Sequence, residues 1–232
     1  MNIFYRSVKT MDNRFPKYIK VLVRKLEFLS IPNLGMLLAG LGVLGFLGRM
    51  APNVPMEQFV FDPNLFLAGE WWRIVTFPVV EVPTGPIWFL FYVFYVYFIA
   101  SGLEEGWGVA PLTVFVLMGY LTSIASLFYV GHYTPGVWQY FIENLTFAYG
   151  TLFPEMTFHI FGILPVKAKW IAIIYGALTL FRFVFASLTG KVFLLIVFFP
   201  YLFFFLPLLI SSGRSYLNTR KRRKRYDEGM WK

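Results

Sequence analysis

Cysteine is absent from this sequence, which excludes disulfides, thiolate nucleophiles and cysteine-held metals. Histidine occurs only at His132 and His159, too few for a histidine-rich metal centre, so neither metal nor cofactor is expected. Charge is scarce as well: 14% of the 232 residues are Asp, Glu, Lys or Arg, against about a quarter in a soluble domain. Apolar and aromatic residues take their place, at 58% and 21% of the chain.

The apolar residues are grouped in long runs at 33–47, 87–100, 109–130, 170–181 and 192–210. Runs approaching the ~20 residues of a bilayer crossing read as helical spans, because backbone groups in lipid must bond within their own helix. The pattern predicts an all-α integral membrane protein with six transmembrane helices, near 33–49, 85–103, 109–131, 136–153, 169–187 and 191–211. The fourth is the most polar and carries Gln139, Glu143 and Asn144. The first residues are basic but lead into a charged segment without a small-residue cleavage site, so no removable signal peptide is expected.

Six spans would place both termini on one side. On that side fall Arg6, Lys9, Arg14, Lys17, Lys20, Arg24 and Lys25 before the first span, and Arg214, Arg220, Lys221, Arg222, Arg223, Lys224, Arg225 and Lys232 after the last. Lys167 and Lys169 join them between spans four and five, while only Arg49, Arg73 and Lys191 fall on the other side. The positive-inside rule makes the basic side cytoplasmic. The net charge of +9 therefore points to anionic lipid headgroups rather than nucleic acid. Three regions follow: a basic tail over 1–32, a membrane domain over 33–211 and a polybasic tail over 212–232. In the first tail, Phe15, Ile19, Leu22, Leu26 and Leu29 fall on one helical stripe with Lys17, Lys20 and Arg24 opposite. That pattern suits an amphipathic helix lying on the cytoplasmic interface.

The stretch between spans one and two is too apolar to stand in water, with Phe59, Phe61, Phe66, Trp71 and Trp72, and reads as a segment dipping into the outer leaflet. Its end runs Gly69-Glu70-Trp71-Trp72-Arg73-Ile74-Val75-Thr76-Phe77-Pro78. Further on come Gly102-Leu103-Glu104-Glu105-Gly106-Trp107-Gly108 and Phe161-Gly162-Ile163-Leu164-Pro165-Val166-Lys167-Ala168-Lys169-Trp170. In this order the three segments resemble the Trp-Arg loop, the Leu-Glu…Gly turn and the segment before span five of rhomboids and derlins. The resemblance covers roughly residues 30–210. It implies a six-helix rhomboid-like bundle with an amphipathic loop between helices 1 and 2. It also marks Glu70, Trp72, Arg73, Gly102, Glu104, Gly108, Pro165, Lys167 and Lys169 as family positions.

Active rhomboids use a serine near the start of span four and a histidine on span six. A serine hydroxyl needs such a base within hydrogen-bond reach to become a nucleophile. Here residues 136–150 hold no serine and 192–210 no histidine; Thr146 is the only deep hydroxyl of span four. The resemblance thus implies a non-catalytic pseudoprotease. Its role would be derlin-like, binding membrane-protein clients, although span six lacks the Gly-x-x-x-Gly pair of derlins. The alternative is a structural or accessory subunit of a larger membrane complex. Intramembrane charges are costly and rarely idle. Gln139 and Glu143 are four residues apart, and Arg182 lies one turn from the outer end of span five. They could form a buried ion pair that fixes helix registry, or a polar cavity touching clients or water.

Overall fold

A computed structural model describes residues 15–51, 53–160 and 164–211, and leaves out the side chains of 159, 160 and 164. The basic residues up to Arg14, the polybasic run over 220–225 and the Phe161-Gly162-Ile163 part of the third motif lie outside the described residues.

The chain is mostly helical. α1 (Lys17–Lys25) and a 3-10 turn (Glu27–Leu29) precede α2 (Leu34–Met50). The next connection contains a 3-10 turn (Met56–Phe59), α3 (Pro63–Leu67) and α4 (Arg73–Val80). Then come α5 (Pro86–Trp107), α6 (Val109–Val130), α7 (Val137–Leu152), α8 (Ala168–Phe185), α9 (Leu188–Val197) and α10 (Phe199–Ser211). Among the described residues, α5, α6 and α8 are long and apolar enough to cross a membrane, and the bent pair α9–α10 makes a fourth crossing if counted as one. The protein is a multi-pass, helical integral membrane protein.

Glycine and proline punctuate these helices. Gly108, at φ 109°, joins α5 to α6 with no intervening loop, and Gly136, at φ 87°, starts α7. Both are backbone conformations that a Cβ disfavours. Close packing supplies much of the rest. A Cβ on Gly150 of α7 would stand 2.5 Å from the Cβ of Ala172 on α8, so these helices touch nearly backbone to backbone. Ser123 and Ser126 of α6 are buried and bond the carbonyls of Gly119 and Ser123 in their own helix. They serve packing.

The sequence predicts six crossings, whereas three helices, or four with the bent pair, are long and apolar enough among the described residues; two local features also differ from straight spans. The turn before α8 contains a β-hairpin, β1 (Thr157–Ile160) and β2 (Leu164–Lys167), in antiparallel register from Thr157↔Lys167 to Ile160↔Leu164. Its Phe158 packs on Phe98 and Tyr149, which holds the hairpin against α5 and α7. The expected last span is two helices meeting at 74°. Pro200 explains the break: it offers no N–H to the carbonyl of Ile196, and its ring crowds the preceding turn.

α1 also differs in detail from the expected stripe. It ends at Lys25, so Leu26 and Leu29 leave the helix, and its buried residues are Ile19 and Val23. Phe15, just ahead of it, stacks on Trp107 at 5.6 Å and meets Phe205 edge-on at 5.8 Å. The apolar face of α1 thus closes one end of the bundle.

Candidate functional site

The loop between α2 and α5 is organised around Arg73, which is only 5% exposed. Its Nε donates to Glu70 Oε2 at 2.5 Å, and Nη1 donates to the carbonyls of Glu57 at 3.0 Å and Val60 at 2.7 Å. Thr76 donates to the carbonyl of Phe59 in the same loop. Trp71 and Trp72 sit beside this knot with their rings exposed.

Glu104, of the second motif, caps another helix. Its two carboxylate oxygens accept the Asn33 and Leu34 amides at 2.7 and 2.9 Å, where α2 begins. Those amides have no partner within the helix, and a carboxylate there also meets the positive end of the helix dipole. Gly102 faces Tyr149 of α7, and an added Cβ would lie 2.7 Å from its ring. In the third motif Pro165 stands opposite His159 in the hairpin. Lys167 and Lys169 both grip Glu155, at 2.7 and 2.6 Å. Hydrogen bonds from the two ammonium groups hold the Glu155 carboxyl down at about 2.

α7 carries the polar cluster. Glu143, 1% exposed, receives Arg182 Nη1 at 3.0 and 3.3 Å on its two oxygens, and Thr179 Oγ1 at 3.2 Å. The Arg182 guanidinium lies over the Tyr140 ring, 5.5 Å from its centroid. Asn144, the next residue, is rotated about 100° around the helix and faces a different neighbour. Its Nδ2 donates to the carbonyl of Tyr140 and, at 3.1 Å, to the carbonyl of Val197 at the α9–α10 break. This bond ties α7 to the backbone of the bent span where regular helix pairing is interrupted. Thr146 bonds Tyr95 Oη at 2.8 Å and the Ile142 carbonyl at 2.9 Å.

Of the four residues expected to cluster, Glu143 and Arg182 come together. Asn144 turns to the broken helix. Gln139 is exposed and stands apart.

Sequence reasoning did not single out Glu81. It follows α4 and caps α7, accepting the Trp138 amide at 2.7 Å, the Gly136 amide at 3.2 Å and the Tyr133 hydroxyl at 3.0 Å. Burial pushes its carboxyl above the usual range. The signal available was a lone acid between apolar segments, which must find donors. The donors themselves lie more than fifty residues away.

Among the described residues no group of three or more His, Cys, Asp or Glu side chains could hold a metal ion. Chemically, the cluster holds a carboxylate fixed by a guanidinium and a hydroxyl bonded to a phenol. No protein-family model, curated protein or solved structure matches the chain.

Proposed function

We propose that this chain is a rhomboid-like pseudoprotease, a six-pass membrane protein with both termini in the cytoplasm that binds membrane-protein clients without cutting them. The observation that carries the reading is the set of partners in α7. Thr146, the deep hydroxyl of that helix, bonds a tyrosine and a backbone carbonyl, and the neighbouring acid is held by Arg182. Neither partner of Thr146 is a base that could take its proton. Further support comes from the three motif segments, which tie the loop, a helix start and a hairpin into the bundle through Arg73, Glu104 and Lys167–Glu155–Lys169.

Client handling would rest on local thinning of the bilayer. α2 and α7 have 17 and 16 residues, which gives lengths of about 26 and 24 Å at 1.5 Å per residue. The hydrocarbon core is about 30 Å thick. A bilayer pinched to meet short helices shortens the path that a polar client segment must cross, and lowers the cost of exposing it.

The reading predicts no cleavage of transmembrane reporter substrates and no labelling by serine-directed fluorophosphonates. Purification in mild detergent should recover many substoichiometric membrane proteins. Labelling that a single substitution abolishes would sink it. A second reading, an accessory subunit of a larger complex, is favoured by α8, whose outward face leaves Trp170, Ile174, Phe181 and Phe185 more than half exposed. One stoichiometric partner in the same purification would select that reading.

The proposed topology has its own test. Reporters fused at Lys232 and within residues 1–15 should score cytoplasmic, and one at Asn53 external. Opposite scores for the two termini would remove a span from the scheme.

A further inference from the structure

A groove of about 680 Å³ runs along α8 beside α9 and α10, with α7 as its floor. Thr179, Leu180 and Phe183 line its upper part from one side, and Leu194, Leu195 and Phe198 from the other. Its volume is in the range of single small-ligand sites, about 300–1,000 Å³. Apart from Thr151, Lys169, Thr179 and Tyr201 its lining is apolar, which suits a hydrocarbon chain.

Next to Thr179 of the groove wall, on the same Glu143 oxygen, is a cation with unspent donors. Arg182 uses only Nη1 on Glu143, and its Nε and Nη2 have no acceptor among the described residues. Its side chain is 42% exposed although its partner Glu143 is buried. Thr179, on the wall of the groove, binds the same carboxylate, which places the guanidinium beside the opening. Tyr140 holds the guanidinium plane from behind. Arg182 stands three residues before the end of α8, about 4.5 Å along the helix, a distance that a snorkelling arginine side chain spans. A planar fork with two free donors at that depth matches a phosphate diester, and an apolar groove below it matches a hydrocarbon tail.

We infer that this groove binds one phospholipid, its phosphate on Arg182 and one acyl chain along α8. The site does not depend on the pseudoprotease reading, since it needs neither a client nor the family's chemistry.

Native mass spectrometry of the intact protein in detergent, titrated with palmitoyl-oleoyl-phosphatidylcholine, tests it. A single saturable adduct per chain is expected. Arg182→Gln should weaken it about tenfold, the loss of a charge-assisted hydrogen bond. Leu195→Trp should abolish it by filling the groove while leaving every charge in place. Phe94→Trp, on the exposed face of α5, should leave it unchanged. Palmitoyl-oleoyl-glycerol, which has the same chains and no phosphate, should bind wild type as weakly as phosphatidylcholine binds Arg182→Gln. Inorganic phosphate should not compete.

Equal adducts in wild type and Leu195→Trp would mean ordinary boundary lipid and overturn the site. Equal binding of the lipid and its glycerol analogue would overturn the role of Arg182, even if Arg182→Gln does not fold. Recovery of a protein segment in place of lipid, lost in Leu195→Trp, would assign the groove to a client instead.

Discussion

Arg182→Gln lowers stability by about 3 kcal/mol, the lower end of the cost of breaking a buried ion pair, and Glu143→Gln lowers it by clearly less. The asymmetry follows from the two exposures. Removing the guanidinium strands a carboxylate that is 1% exposed, with only the Thr179 hydroxyl left to it. Removing the carboxylate instead leaves a guanidinium that is 42% exposed, stacked on Tyr140 and able to reach the headgroups. The double substitution should cost less than the two singles together, by about 0.5–3 kcal/mol, because it leaves neither charge alone. Thermal unfolding of the four proteins in one detergent measures all of this. Strict additivity would show that the two residues are not coupled. A larger loss from Glu143→Gln than from Arg182→Gln would reverse the assignment of the buried partner.

Arg73→Ala lowers stability by a similar amount, about 3 kcal/mol, since it unpairs Glu70 and leaves two loop carbonyls without their donor. Geometry makes the lysine variant the more informative. The Arg73 fork reaches a carboxylate with Nε and Nη2, and two carbonyls three residues apart in one 3-10 turn with Nη1. An ammonium is a single point with three donors and cannot span these positions together. Arg73→Lys should therefore recover less than half of the loss. Amide hydrogen exchange over 54–72 should be fast in both variants. Full rescue by lysine would reduce Arg73 to a snorkelling interfacial charge.

Much of the scaffold was legible because helix ends in this chain coincide with residues that end helices anywhere. Gly85-Pro86 opens α5, and Gly108, Gly131 and Gly136 bracket α6 and the start of α7. The expected 136–153 thus becomes Val137–Leu152. The Glu143–Arg182 pair was legible for another reason: a charge inside a bilayer needs an opposite charge, and few were on offer. Gln139 misled because i,i+4 spacing fixes a face but not a depth. It stands about 6 Å above Glu143 along α7, while antiparallel α8 extends only about 4.5 Å beyond Arg182. Gln139 is left exposed. The bend at Pro200 was hidden because proline is common in membrane helices, and composition does not distinguish a tolerated proline from a breaking one. Short strands such as Thr157–Ile160 carry too little periodicity to stand out within a basic turn.

The carboxylates that cap α2 and α7 have a consequence in time as well as in space. Glu104 lies 71 residues after Asn33, whose amide it receives. At about 5–20 residues per second, roughly four to fourteen seconds of synthesis separate the two. During that interval the first apolar helix is already made but its leading amides have no carboxylate to meet. The order is reversed for α7: Glu81 is synthesised 57 residues before Trp138 and waits, desolvating, for the helix start that it will receive. The nascent bundle therefore carries one helix awaiting its acid and one acid awaiting its helix, and each is settled only when a later part of the chain leaves the ribosome.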